Sequence, residues 1–390
     1  MRICLALLAC GLLIAFPTAA GAQPPLRPRP SQPAARRAVA PAEASLQSTL
    51  EVALGAQPAA PTAFDATSAY LPLKGGRLVA VDLLSGKVRW TSELVTTWAP
   101  SVDVGLVVVA GDEWLTALDT ETGRPKWRLP MTGGFSAPAT ADGGWVIGAP
   151  AGGDVIAIRA TDGQVLWTHR LGSPVRVRPV ITATGVYVSL DDGRVVALDL
   201  RTGTPRWERR LGGKPADLLV LDDRLFVGAD DKYFYSLKTS NGGLRWKRRI
   251  GGRPSGAAAV DAKRVYYVAL DNILWALDRN NGGLKWHQPL PVRPSGGPLV
   301  IGEVVVVAGV AAEIHAYRAQ TGEPAGKSES PADLASAPQL VPAEVPALTA
   351  IAMVTRGGVF MLLTRRVEPA ATPLAYPLGT EIPLSRLGVD

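Results

Sequence analysis

One short unit recurs along most of this chain and constrains its fold more than any other feature. Residues Arg194–Trp207, RVVALDLRTGTPRW, show it clearly: a short apolar strand, an Asp, a Thr-Gly turn, and a strand that leads into a Trp. Copies of the unit end at Trp90, Trp127, Trp167, Trp207, Trp246 and Trp286, at intervals of 37, 40, 40, 39 and 40 residues. A period of about 40 residues with several short strands is typical of a radial β-repeat such as a propeller.

Each repeat predicts four short strands. In the fourth repeat, apolar or alternating runs separated by Gly turns predict strands at Val177–Thr182, Tyr187–Leu190, Val195–Asp199 and Pro205–Arg209. In the first repeat they predict strands at Thr62–Ala66, Ala69–Leu73, Arg77–Asp82 and Lys87–Thr91. Each repeat therefore predicts one four-stranded antiparallel blade.

Counting the repeats predicts eight blades. The seventh repeat has Gly326 in place of the Trp, and the last, at about Ala337–Tyr376, keeps only the strand pattern. Terminal repeats are commonly atypical. We therefore predict an all-β, eight-bladed β-propeller over residues 46–390, its ring closed by a terminal strand at Leu46–Leu54 or Thr372–Leu378.

The recurring Asp, Gly and Trp are predicted to be structural. The turns end in a Gly that is expected to take a positive φ, as in Gly203, and an Asp such as Asp199 is expected to accept hydrogen bonds from turn N–H groups. A small residue two positions before the Asp, such as Ala197, leaves room for close packing. The six Trp residues are expected to join neighbouring blades, because one sheet cannot bury its own faces.

The pattern Ala-x-Asp-x-x-x-Gly-x-x-x-Trp resembles the repeat of the pyrroloquinoline quinone (PQQ)-type β-propeller family. The resemblance covers about residues 61–368. That family includes PQQ-dependent dehydrogenases and non-enzymatic lipoproteins of outer-membrane protein assembly, so the resemblance implies the fold and leaves the function open between enzyme and scaffold.

The N-terminal 45 residues predict export and a tether. Residues 1–22 combine a basic start, an apolar run from Ile3 to Phe16 and the Ala20-Gly21-Ala22 site of a secretory signal peptide. An alternative lipobox, Leu7-Leu8-Ala9-Cys10, would make Cys10 a lipid anchor. Residues 23–45 are rich in Pro, Ala and Arg and predict a disordered tether.

Composition removes several classes of protein. The two cysteines, Cys4 and Cys10, lie in the leader, so a mature chain would have no disulfide, thiol nucleophile or Cys-ligated metal. More than half of the formal charge of +7 comes from the leader and tether. This charge is therefore weak evidence for nucleic acid, and we predict no nucleic-acid partner.

No catalytic constellation is evident. The dehydrogenases of the resembling family need PQQ, calcium held by acidic and amide groups, and an acidic base, whereas most acids here lie in hairpin turns. His169, His287 and His315 lack metal-ligand spacing. We therefore predict no catalytic, cofactor or metal residues; PQQ and calcium belong only to the alternative, a quinoprotein enzyme.

Loops that enter the inner strands predict a partner-binding rim near the central channel. Arg176, Arg178, Lys214, Arg253 and Arg293 form a basic arc, with Trp98 and Phe135 expected to be exposed opposite it. The resemblance adds an apolar-x-apolar-Arg loop that binds the barrel-inserting partner, matched here by Val175-Arg176-Val177-Arg178, and an accompanying acid matched by Asp217. The predicted rim comprises Val175, Arg176, Val177, Arg178, Lys214, Asp217, Arg253, Arg293, Trp98 and Phe135.

These observations favour an exported, non-enzymatic scaffold of the periplasm or cell envelope. It is expected to be a monomer within a complex, with a protein partner such as the outer-membrane barrel-assembly machinery. Membrane contact is expected only peripherally, or through a lipid on Cys10. The alternatives are a PQQ-dependent oxidoreductase and a propeller that senses a small anionic ligand in its channel.

Overall fold

In the computed structural model, residues 46–341 and 350–365 are described, and every regular element among them is a β-strand. That part of the chain therefore contains no apolar helix of membrane-spanning length. In chain order the strands are β1 Leu46–Ala53, β2 Ala63–Phe64, β3 Ser68–Leu73, β4 Arg77–Asp82, β5 Val88–Glu93, β6 Ser101–Asp103, β7 Leu106–Ala110, β8 Trp114–Asp119, β9 Pro125–Pro130, β10 Phe135–Asp142, β11 Trp145–Pro150, β12 Asp154–Arg159, β13 Val165–Arg170, β14 Val180–Ile181, β15 Gly185–Ser189, β16 Arg194–Asp199, β17 Pro205–Arg210, β18 Pro215–Leu221, β19 Arg224–Ala229, β20 Tyr233–Lys238, β21 Leu244–Arg249, β22 Ala259–Val260, β23 Arg264–Ala269, β24 Ile273–Asp278, β25 Leu284–Pro289, β26 Leu299–Ile301, β27 Val304–Ala308, β28 Glu313–Arg318, β29 Pro324–Glu329, β30 Gln339–Leu340, β31 Ala350–Val354 and β32 Val359–Arg365.

The strands form eight four-stranded antiparallel sheets. Blades 1 to 7 each use four consecutive strands, from β2–β5 to β26–β29, and blade 8 has the order β30, β31, β32, β1. The first strands of neighbouring blades contact one another and so lie nearest the centre. A cluster of buried apolar side chains fills each seam between successive blades, including that between blades 8 and 1. The predicted eight-bladed β-propeller is therefore confirmed.

The N-terminal strand closes the ring. β1 pairs antiparallel with β32, with Gln47 opposite Thr364 and Ala53 opposite Val359. This confirms the first of the two predicted closing strands, whereas Thr372–Leu378 lies outside the described residues, as do the predicted signal peptide, Cys4, Cys10 and the tether. Because β1 closes the ring, the two ends of the propeller are joined by pairing between residues that lie more than 300 positions apart in the sequence.

The six predicted Trp residues join blades 1 to 6 each to the blade that follows. The ring of Trp167, for example, covers Gly203 of blade 4, where an added Cβ would lie 2.5 Å from its Cδ2 atom. Its Nε1 donates a hydrogen bond of 2.8 Å to the Leu200 carbonyl of that blade. Each of the others donates in the same way: Trp90 to Thr120, Trp127 to Ala160, Trp207 to Thr239, Trp246 to Arg279 and Trp286 to Ala319.

The turn residues behave as predicted. The seven turn glycines have φ between 66° and 78°, a region that an L side chain enters only at a cost: Gly86, Gly123, Gly163, Gly203, Gly242, Gly282 and Gly322. The Asp199 carboxylate accepts hydrogen bonds of 3.0 Å from the Arg201 and Thr202 N–H groups. Ala197, opposite Trp207 in the sheet, is buried.

The missing Trp of blade 7 follows from the ring closure. Each Trp ring packs on the turn between the third and fourth strands of the next blade and donates its hydrogen bond to that turn. Blade 8 has no such turn, because its fourth strand comes from the other end of the chain. Gly326 therefore stands opposite Ala316 in the position that Trp occupies elsewhere. In the eighth blade, Leu50 of β1 replaces the Trp and packs over Gly86.

Candidate functional site

The predicted basic residues lie on one face of the ring. We call it the linker face, because there the outermost strand of each blade passes the chain to the innermost strand of the next. Lys214, Arg253 and Arg293 hold equivalent positions at the entries of blades 5, 6 and 7. Their carbonyl groups accept the N–H groups of Asp230, Leu270 and Val310 at 3.0, 2.8 and 2.8 Å, respectively. Their side chains are exposed.

Acidic neighbours partly neutralise this arc. Asp191 receives Arg176 Nε at 3.0 Å and Lys214 Nζ at 3.6 Å, while Arg253 Nε lies 3.3 Å from Asp230. Arg293 has no carboxylate within 4 Å among the described residues. Exposed ion pairs of this kind are weak and open readily to a competing acidic group.

Five of the ten predicted residues line one cavity of about 660 Å³ at the centre of the ring: Trp98, Arg176, Val177, Arg178 and Asp217. A second cavity, of about 750 Å³, also has Arg178 and Asp217 in its wall and is otherwise lined largely by small side chains. The loop that enters blade 4 therefore connects the linker face to the central channel.

Arg178 is held by the backbone of other blades rather than exposed on the rim. Its Nη1 donates to the Ala139 carbonyl at 2.8 Å, and its Nη2 donates to the carbonyls of Ala99 and Pro100 at 2.9 and 3.1 Å. Thr140 Oγ1 adds a bond of 2.7 Å to the Pro179 carbonyl. Arg178 therefore connects blades 2, 3 and 4, and the innermost strand of blade 4, β14, is shorter than predicted.

Burial shifts the two charges of the channel in opposite directions. Desolvation lowers the pKa of Arg178 to about 10, and the negative charge of Asp217 opposes this change. Desolvation also raises the pKa of the Asp217 carboxyl, against a backbone hydrogen bond and the charge of Arg178. Arg178 is therefore charged at neutral pH, in a place that favours a nearby negative group.

Replacing Asp217 with Asn should stabilise the protein at neutral pH. Because the pKa of Asp217 is raised on folding, the folded state binds more protons than the unfolded chain between about pH 3.9 and the folded pKa. Its contribution to the free energy of unfolding therefore falls as pH rises through that window. Urea denaturation at several pH values should show the variant's advantage near pH 7 and its decline towards pH 4. An advantage that grows at low pH would contradict this assignment.

Two predicted rim residues are not at the surface. The expectation that Phe135 is exposed is wrong: its side chain is 8% exposed and packs in the seam between blades 2 and 3. Val175 is fully buried between blades 3 and 4. In both cases the apolar side chain gains more by filling a seam than by facing solvent. Trp98, by contrast, is half-buried and reaches the cavity.

Sequence reasoning missed Asp191, which binds both Arg176 and Lys214. It lies in an Asp-Asp-Gly turn of blade 4, where the sequence pattern predicts only a turn residue. Only its position beside the entry loops of blades 4 and 5 shows that it connects them. The doubled Asp is a sequence signal for this role. One Asp is enough for the turn, because Asp192 already accepts the Arg194 N–H at 3.1 Å, and the second Asp can therefore serve another contact.

The channel does not fit a calcium–quinone centre. The described residues contain no cluster of three or more His, Cys, Asp or Glu side chains able to hold a metal. Asp217 contributes its carboxylate to the walls of both cavities. A calcium site at this place would need further acidic ligands beside it.

A sequence model described as outer membrane protein assembly factor BamB matches residues 74–220 and 216–341. Among curated relatives, BamB of Nitrosomonas eutropha is 26% identical over 152 residues, which cover 37% of this chain and 37% of that protein. BamB of Salmonella typhimurium is 35% identical over 105 residues, 24% of this chain and 26% of that protein. The aligned stretches thus span well under half of these relatives.

Solved structures share the fold. The crystal structure of BamB from Moraxella catarrhalis superposes with a TM-score of 0.71 at 20% identity, covering 84% of this chain and 100% of that one. Quinohemoprotein alcohol dehydrogenase from Comamonas testosteroni gives a TM-score of 0.66 at 15% identity, covering 84% and 78%. At such identities both comparisons establish the propeller architecture alone.

Proposed function

Since the chain belongs to the PQQ-type propeller family of the outer membrane protein assembly factor BamB, we propose that it is a non-enzymatic scaffold for outer-membrane protein assembly. It binds its protein partner through the linker face. The observation that carries this proposal is the blade 4 entry loop, which presents exposed Arg176 beside Val177 and Trp98 at one cavity. The location that goes with this role is the cell envelope, with the propeller in the periplasm.

The geometry supplies the elements of a protein-binding site. Arg176 and Arg293 are exposed guanidinium groups that can pair with carboxylates of a partner. Trp98 and Val177 provide partly buried apolar surface next to Arg176. Aromatic and Arg side chains of this kind contribute most of the binding energy in many interfaces. The weak ion pairs with Asp191 position Arg176 and Lys214, and acidic groups of a partner can replace Asp191 in them.

Charge reversal of Arg176 and Arg293 tests this site. In co-purification with detergent-solubilised barrel-assembly machinery, Arg176→Glu/Arg293→Glu should recover at least about tenfold less complex, because two favourable charge contacts become repulsive. Arg206→Glu is the matched control, since Arg206 is exposed on the outermost strand of blade 4, away from the linker face. Unchanged recovery for the double variant would reject the linker face as the binding site.

A quinoprotein activity is tested separately. The protein is incubated with PQQ and calcium, and dye-linked oxidation of alcohols and sugars is measured. The Arg178→Met variant, which lacks the guanidinium group of the channel, is treated in the same way and serves as the background. The scaffold proposal expects that the unaltered protein shows no turnover above this background. Clear turnover that depends on both additions would contradict it.

A further inference from the structure

A second groove lies on the linker face, at the seam between blades 1 and 2. It has a volume of about 400 Å³ and lies where β5 ends and β8 begins. We call it the acidic groove and define it by Glu93, Val95, Asp112, Glu113 and Trp114. Val95 is 68% exposed and Trp114 is 43% exposed, which leaves two large apolar side chains in contact with water. None of these residues belongs to the basic rim.

Val95 occurs where this repeat differs from the others. After the outermost strand, Leu94 N–H donates to the Gly76 carbonyl at 2.7 Å, and the corresponding bond recurs in later blades. The residue that follows it is Val95 here. In later blades it is Thr132, Gly172, Gly212, Gly251, Pro291 and Pro331. A methyl of Val95 lies 3.0 Å from the place of a Cβ on Gly76, so the side chain rests on a site that only Gly leaves open.

Trp114 differs from its counterparts in exposure: blades 5 and 6 have Tyr233 and Ile273 at this position, both half-buried, whereas Trp114 is exposed. It is the first residue of β8, and the matching residue of blade 4 is Arg194. There Arg194 covers the seam with ion pairs of 2.7 Å to Asp192 and 3.0 Å to Glu208. Blade 2 has an indole instead of this polar network. An exposed Trp beside a second apolar side chain can serve as the apolar anchor of a binding site.

The charge of the groove selects the kind of partner. Glu93, Asp112 and Glu113 are exposed and, with Arg128, line the groove. None of these four side chains forms an ion pair with another part of the described chain. The groove therefore carries net negative charge on a chain whose formal charge is +7. A cationic group gains Coulomb attraction there and can also stack on Trp114.

We propose that the acidic groove binds an extended segment of a partner protein in which cationic side chains alternate with apolar ones. The apolar side chains cover Val95 and Trp114, and the ammonium or guanidinium groups reach the three carboxylates. A purely polar cationic segment would leave the apolar floor wet, and an acidic segment would be repelled. This proposal is independent of the basic rim, so either site can fail without the other.

Synthetic peptides test the proposal by calorimetry on the full chain. The probe is a blocked nonapeptide of three Leu-Arg-Pro repeats; the comparison peptides have Glu in place of Arg or Ser in place of Leu. The probe should bind at least about tenfold more tightly than either. Trp114→Ala and, independently, Glu113→Lys should each weaken it by about tenfold or more. Both residues are exposed, and denaturation curves check that the variants are folded.

Leu84→Ala is the matched control, because Leu84 is a large apolar side chain that is 90% exposed, lies in the turn between β4 and β5 and does not line the groove. It should leave binding of the probe unchanged. If the probe and the peptide with Ser in place of Leu bound equally well, then binding would depend on charge alone, and the proposal would be overturned. It would equally be overturned if Trp114→Ala had no effect, or if the probe did not bind at concentrations up to about 1 mM.

Discussion

Replacing Trp167 with Ala is expected to lower the free energy of unfolding by about 3–5 kcal/mol, the range for truncating a buried Trp. The side chain is 9% exposed in the seam between blades 3 and 4. Its loss removes the cover of Gly203 and leaves the Leu200 carbonyl without its 2.8 Å partner. Equilibrium denaturation in urea, followed by circular dichroism, measures the change.

The control is Trp114→Ala, which removes the same atoms from an exposed site. Trp114 is 43% exposed, so its replacement should change stability by less than about 1 kcal/mol. If both variants lost the same stability, then the Trp residues would not be joining the blades as the structure indicates.

Replacing Gly203 with Ala is expected to cost about 2–4 kcal/mol, from backbone strain and a steric clash together. At φ 70° an Ala is strained, and its Cβ would lie 2.5 Å from the Trp167 ring. Gly172 separates the two causes, because it has φ 71° and nothing within 4 Å of the added Cβ. Gly172→Ala should cost only about 1–2 kcal/mol in the same urea measurement.

The two seam residues should be coupled. In a Trp167→Ala background, Gly203→Ala should cost no more than Gly172→Ala does, since the ring that it would strike is gone. A double-mutant cycle therefore yields a favourable interaction energy of about 1–3 kcal/mol between the substitutions. Strict additivity would mean that the Trp ring moves aside without cost.

Much of the seam could be predicted from local pattern. The spacing of the Trp residues, the Gly before the last strand and the Asp of the turn all recur, and each has one stereochemical role that the backbone demands. These roles could be recognised because the repeat occurs in six copies, which show the residue types that each position of the repeat requires. The gap at Gly326 was also visible, but its cause was not. That cause is the origin of the fourth strand of blade 8 from β1, which only the pairing of distant segments reveals.

The candidate site was less predictable. Arg176 and Arg178 are the same residue type two positions apart, and both were placed on the rim. In the structure, Arg176 faces solvent and pairs with Asp191, while Arg178 turns into the channel. The carbonyls that hold Arg178 lie 39, 78 and 79 positions away in the chain. No local pattern identifies such partners, and Phe135 was misplaced for the same reason.

The sequence alone determined that this chain builds eight β-blades, six of which carry the Trp that packs on the next blade, because repeat period, turn chemistry and strand alternation are local properties that recur in successive repeats. The tertiary structure alone decided which loop residues meet at the central cavity, which charges neutralise each other, and where apolar side chains stay exposed at the acidic groove. Those outcomes depend on how the blades approach one another around the ring, so side chains from distant repeats become neighbours only once the ring has closed.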